Sequence, residues 1–247
     1  MLGMGLLMMA GFASGALNAV AGGGAFITFP ALLFAGVPPV SANASSTVAL
    51  FPGQAASSWA YRRDIGAVSE VNLPQFAALS LIGGLIGALL LLVTPNALFA
   101  DFVPWLLLFA TSVFAVGHYA PGVVARLRLG GRGVLAVQFL ISIYGGYFGG
   151  GIGFLMLAAL TLFGLRDIHA MNGLRILLAM LMNGAAVAAF AVSGAVSWPE
   201  TLAMAVAAVA GGYVGALGAK RVDPKRLKTG VVAIGAALTA YFFAKGT

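Results

Sequence analysis

Apolar stretches follow one another along almost the whole chain with only short polar breaks between them, and that one feature rules out water as the main solvent of the fold. A helix that crosses a bilayer needs about 20 mostly apolar residues. Runs bounded by charge or by Pro and Gly clusters fall at roughly 2–34, 42–61, 73–93, 102–116, 134–163, 171–192, 201–219 and 230–243. Only 8% of the 247 residues are charged and 61% are hydrophobic, whereas about a quarter of the residues in a soluble domain carry charge. The expected class is an all-α integral membrane protein, and no soluble domain fits between the runs.

The charged side chains cluster at the ends of the runs, where water and lipid headgroups solvate them, so the net charge of +7 reports topology. These basic groups are divided among separate loops without interleaved aromatics, which argues against a nucleic-acid partner and for the lipid bilayer. The chain has no cysteine, and this removes disulfides, thiolate catalysis and thiolate metal sites. No Lys or Arg precedes Arg62, so a cleaved signal peptide is not expected. For the same reason the amino terminus is expected outside.

Two of the runs are too long for one crossing, and each is broken by three glycines, Gly22-Gly23-Gly24 and Gly149-Gly150-Gly151. Sliding the chain by 128 residues superposes its halves without a gap over about 70 positions. Gly66-Ala67-Val68-Ser69 falls on Gly194-Ala195-Val196-Ser197, and Gly83-Gly84, Gly87, Ala88 and Leu89 fall on Gly211-Gly212, Gly215, Ala216 and Leu217. A four-residue identity and a patterned glycine motif at one offset point to an internal repeat. The halves are expected at 1–120 and 134–247, joined by a cytoplasmic linker at 121–133.

Basic residues orient the halves. Arg62-Arg63 and the Arg126, Arg128 and Arg132 group mark cytoplasmic loops. In the second half the loop equivalent to Arg62-Arg63 has no basic residue, while Lys220, Arg221, Lys225, Arg226 and Lys228 occupy the other corner. Copies inserted in opposite orientations require that exchange, so two inverted-topology repeats are expected. Inversion needs an odd number of crossings per half. Each repeat is therefore read as a Gly-broken helical hairpin plus three transmembrane helices. The leg after each triplet spans only about 15 to 18 Å, which places the glycine turns near the midplane of a multi-pass protein.

Backbone interrupted at membrane depth must find partners in protein, water or ligand. If the short legs begin at Ala25 and Ile152, their free amides and helix dipoles suit an anion; alternatively, the triplets serve tight helix crossing. The embedded polar residues nearby are Asn18 before the first triplet, then Asn43, Ser45, Ser46, Thr47 and Gln54 on the second segment. Tyr144 and Tyr147 precede the second triplet, and Asn172, Arg175 and Asn183 lie on the sixth segment. The candidate binding set is Asn18, Gly22, Gly23, Gly24, Asn43, Ser45, Ser46, Thr47, Tyr147, Gly149, Gly150, Gly151, Asn172 and Arg175. Thr47 and Arg175 are equivalent at the repeat offset. Two readings of Arg175 stay open: a partner for a substrate anion, or a side chain that snorkels to the interface.

His118 and His169 stand alone without acids or cysteines at ligand spacing, so no metal and no cofactor is expected. No buried acidic relay is visible, which leaves open whether a proton or sodium ion is coupled, as does the sequence for a homo-oligomer. Gly11-Phe12-Ala13-Ser14-Gly15 brings a serine among glycines but lacks the nucleophile-elbow spacing and a histidine partner. An enzyme is not expected.

Ala10-Gly11-Phe12, Asn18 through Gly24, Pro30, Gly36-Val37-Pro38-Pro39 and Ala42 through Thr47 resemble the opening of the sulfite exporter TauE/SafE family, also called TSUP. Gly145 through Gly151, Gly164 and Ala170 to Asn172 resemble that family's second repeat. Arg166-Asp167 stands where the first copy has Pro38-Pro39, and Asn43 stands where the family often has Gly. The resemblance implies a bacterial inner-membrane permease for small anions such as sulfite, sulfoacetate or thiosulfate, with the glycine-rich hairpins at the core of its path. Alternating access around a midplane site is the expected mechanism, and an anion channel with a fixed pore is the alternative.

Overall fold

A computed structural model describes residues 3–21, 23–60, 72–119, 130–165, 168–218 and 224–245. Ten helices form among the described residues, and no strand does. They are α1 (Met4–Ala21), α2 (Ala25–Phe34), α3 (Pro39–Ala60), α4 (Leu73–Val93), α5 (Asn96–Tyr119), α6 (Gly131–Tyr147), α7 (Ile152–Phe163), α8 (Ile168–Ser193), α9 (Trp198–Gly218) and α10 (Pro224–Lys245). The spans Leu73–Val93, Asn96–Val113 and Ala170–Ser193 are long and apolar enough to cross a membrane. Gly22, Arg62-Arg63, Arg126, Arg128, Arg166-Asp167, Lys220 and Arg221 lie outside the described residues.

Both long runs divide at their glycines into a long leg and a short one, with α2 starting at Ala25 and α7 at Ile152, the starts inferred from the triplets. Their 10 and 12 residues give lengths of about 15 and 18 Å. Helix α4 keeps the bounds read from hydropathy, while α5, α8 and α10 extend further than it indicates. Helical hydrogen bonding continues past the apolar core into polar ends that the hydropathy pattern does not count.

Helix α4 is largely inside-out relative to a soluble helix. Its buried positions are Phe76, Ser80, Gly83, Gly84, Gly87, Ala88 and Leu91, a mostly small stripe at helical spacing. Its exposed face carries Ile82, Leu85, Leu89 and Leu90. Small residues inward and large apolar ones outward is the pattern expected when lipid is the solvent and helix contact comes from close packing.

Those small residues set the packing. Helix α4 lies against α6, and α1 lies against α9. A Cβ on Gly87 would run into the carbonyl oxygen of Ile143, one on Gly146 into that of Gly84, and one on Gly211 into that of Phe12. Backbone therefore meets backbone at both crossings. Helices α3 and α8 pack on each other, with α4 also against α8 and α9 also against α3. The short helices sit inside this frame, α2 on α1 and α3, α7 on α6 and α8.

Candidate functional site

The two glycine breaks are built differently. At the first, Gly24 has ordinary helical angles, φ −56° and ψ −37°. It is glycine for lack of space: a Cβ there would lie 2.8 Å from Ser14 Oγ. Ser14 is fully buried and its hydroxyl donates to the Gly24 carbonyl at 2.7 Å, so the serine among glycines pins the hairpin. At the second break Gly149 and Gly151 have φ +78° and +73°, the left-handed region that side chains with a Cβ rarely occupy. The Tyr144 hydroxyl donates to the Gly150 carbonyl at 2.9 Å and closes this turn.

The short helices start without side-chain caps. In α2 the amides of Phe26 and Ile27 already donate to the carbonyls of Gly23 and Gly24. In α7 the first amide described in a bond is that of Leu155, onto Gly151 at 3.4 Å. The amides of Ile152 and Gly153 therefore project from the helix end with its positive dipole.

Both starts border one cavity of about 90 Å³, with Ala25 from α2 and Ile152 and Gly153 from α7. Asn18, Ser46, Thr47, Gln54, Arg175 and Asn183 supply its polar wall, and Phe148, Gly149, Leu50, Ile176 and Ala179 complete it. One water needs about 10–15 Å³ by such a measure, so the space exceeds a single water and suits a small solute. The Arg175 guanidinium packs onto Gly153, where an added Cβ would collide with Nη1. Across the wall, Asn183 Nδ2 donates to Gln54 Oε1 at 2.8 Å.

Of the residues singled out in the sequence, Asn18, Ser46, Thr47, Gln54, Gly149, Arg175 and Asn183 line this cavity together. Thr47 and Arg175, equivalent at the 128-residue offset, face the same space. The others stand apart from its wall. Asn43 donates to the Tyr147 carbonyl at 2.9 Å, tying α3 to the end of α6. Ser45 accepts from the Ser197 amide at 2.9 Å. Gly24 and Gly150 spend their carbonyls within the turns, Gly151 packs beside Ala110, and Gly23 and Asn172 are not on the lining. Gly22 lies outside the described residues.

Gly153 and Phe148 were not singled out. The signal for Gly153 was present: it is the offset partner of Ala25. Phe148 follows the last residue of α6 and meets Phe29 edge-on at 5.7 Å, a contact between distant segments that spacing does not encode.

A family model described as sulfite exporter TauE/SafE matches residues 7–242. The probable membrane transporter protein ORF9 of a Sinorhizobium species is 30% identical over 246 residues, 98% of this chain and 92% of its own length. A probable membrane transporter protein of Haemophilus influenzae is 31% identical over 227 residues, 89% of this chain and 85% of that protein. Escherichia coli K12 has a probable membrane transporter protein, YfcA, 25% identical over 240 residues, 96% of this chain and 88% of its own. No solved structure matches the chain. With helices suited to crossing a bilayer and a family match that runs nearly from end to end, the chain is a membrane protein and belongs to the sulfite exporter TauE/SafE transporter family.

Proposed function

We propose that this chain is a multi-pass inner-membrane carrier of small anions, sulfite or a related sulfur anion such as sulfoacetate or thiosulfate, which it binds in the cavity between the short helices. The observation that carries this is the meeting of Arg175 with the uncapped start of α7 in a space that Thr47, Ser46 and Asn18 also line. A guanidinium and free amides donate hydrogen bonds, and donors converging in a low-dielectric setting hold negative charge; the Thr47 and Ser46 hydroxyls beside them are held by Asn43 and Thr28. The family's name points to sulfite, and the names of the relatives to membrane transport.

Alternating access follows from the proposed repeats, residues 1–120 and 134–247 in opposite orientations about the cytoplasmic linker 121–133. Helix pairing supports them: α1 on α9 mirrors α6 on α4, α3 on α9 mirrors α8 on α4, and α3 on α8 pairs equivalents. Rocking of one repeat on the other would expose the cavity to each face in turn.

The test is sulfite flux into proteoliposomes of the purified protein. Saturable uptake, accelerated by sulfite on the opposite side and lost in Arg175→Gln, is expected. Conductance that follows voltage without saturating would replace the carrier with a fixed-pore channel, and absence of flux for every sulfur anion tried would reject both.

A further inference from the structure

The cavity has a second polar end that a bare oxyanion does not use. Its lining runs along α3 from Thr47 to Gln54 and along α8 from Arg175 to Asn183, about 10 and 12 Å at 1.5 Å per residue. Arg175 and the start of α7 form the anion-binding end. Gln54 and Asn183, about 12 Å further along α8, form the second polar group, joined by a single hydrogen bond.

That amide pair is incompletely satisfied. Asn183 is 9% exposed and its Oδ1 has no hydrogen-bond partner among the described residues. Gln54 uses only Oε1 in the bond, which leaves its Nε2 as a donor. Flipping both amides exchanges the roles without removing them: one acceptor and one donor are still left over. A carboxylate only accepts and an ammonium only donates, so each leaves half of the pair unmet. A hydroxyl does both.

We infer that the preferred ligand is a short anion bearing a hydroxyl group, its charge at Arg175 and its hydroxyl between Gln54 and Asn183. This rests on the anion reading above. The hydroxyl donates to the free amide oxygen and accepts from the free amide N–H, and the anionic head stays with the guanidinium and the α7 amides.

Calorimetric titration of the detergent-solubilised full chain with hydroxyethanesulfonate, ethanesulfonate and sulfite tests it. Wild type is expected to bind hydroxyethanesulfonate about tenfold more tightly than ethanesulfonate, which converts to about 1.4 kcal/mol. In Asn183→Leu and Gln54→Met the ratio of the two affinities falls to about one. Equal affinities in wild type, or a preference that persists in both variants, overturn the inference while leaving the anion site in place. If none of the three anions binds to wild type, the anion reading itself fails and takes the inference with it. The wild-type comparison decides even if a variant does not fold.

Discussion

Gly153→Ala separates the proposed anion site from the fold. The added Cβ would stand on Nη1 of Arg175, the far end of a flexible side chain. The arginine therefore swings away, and the α7 backbone is left intact. Gly153 is not among the glycines with positive φ, so alanine meets no backbone strain, and alanine inside a helix is favoured over glycine by roughly 0.5–1 kcal/mol. Thermal stability should hold level or rise.

Binding should move the other way. A hydrogen bond to a charged group contributes about 1.5–3 kcal/mol, which is roughly 10- to 150-fold in affinity at 1.4 kcal/mol per tenfold. Sulfite titration and a melting curve on the same preparation read both quantities. A weakened Kd with an unchanged or raised Tm is the expected result. Wild-type affinity in a variant that melts normally would refute the reasoning, because the guanidinium would then have been displaced from the anion seat without consequence.

Three further outcomes follow from the geometry. Gly87→Ala puts a methyl into the Ile143 carbonyl at the α4–α6 crossing and should destabilise by about 1–3 kcal/mol in a denaturation series, whereas Gly212→Ala, whose nearest atom is 3.7 Å away, should change little. Gly151→Val forces a β-branched residue to φ +73°; it and Gly23→Val should abolish uptake while membrane fractionation still finds both variants inserted. Because the chain has no cysteine, single cysteines at Arg62, Arg126 and Lys225 should react only with reagent on the cytoplasmic side and one at Thr94 only from outside, and labelling of Arg62 and Arg126 from opposite sides would break the inverted-repeat reading.

Much of the helix framework was legible because it depends on local properties. Apolar length gives spans, and glycine triplets give breaks; both act within a few residues, so the starts of α2 and α7 could be read to the residue. Arg175 and Thr47 could be paired because they stand at the same place under the 128-residue sequence offset. What could not be read was the division of labour among the polar groups. Asn43, Ser45 and Ser46 sit side by side on α3, yet only Ser46 lines the cavity, while Asn43 and Ser45 each bond a distant backbone group. On one helix turn, facing is decided by what packs opposite each residue. Asn183 and Gln54 illustrate the converse: they are 129 positions apart, one step off the repeat offset, and only their hydrogen bond reveals them as a pair.

The two glycine breaks also differ in a way that bears on how many anions the cavity seats. At α2 the carbonyls of Gly23 and Gly24 accept amides of the first turn, and Ser14 and Thr28 complete the set around Gly24. That helix end is largely satisfied from within. At α7 the first described bond is that of Leu155, and left-handed Gly149 and Gly151 lie ahead of it. The open end is the one beside Arg175, while the satisfied end lies on the side of its neutral equivalent, Thr47. Burying unpaired amides is unfavourable unless a ligand meets them, and only one of the two ends retains that demand. On the proposed reading the frame therefore presents one strong anion seat, off the centre of the cavity and toward α7, and the rest of the wall is left to select what the anion carries.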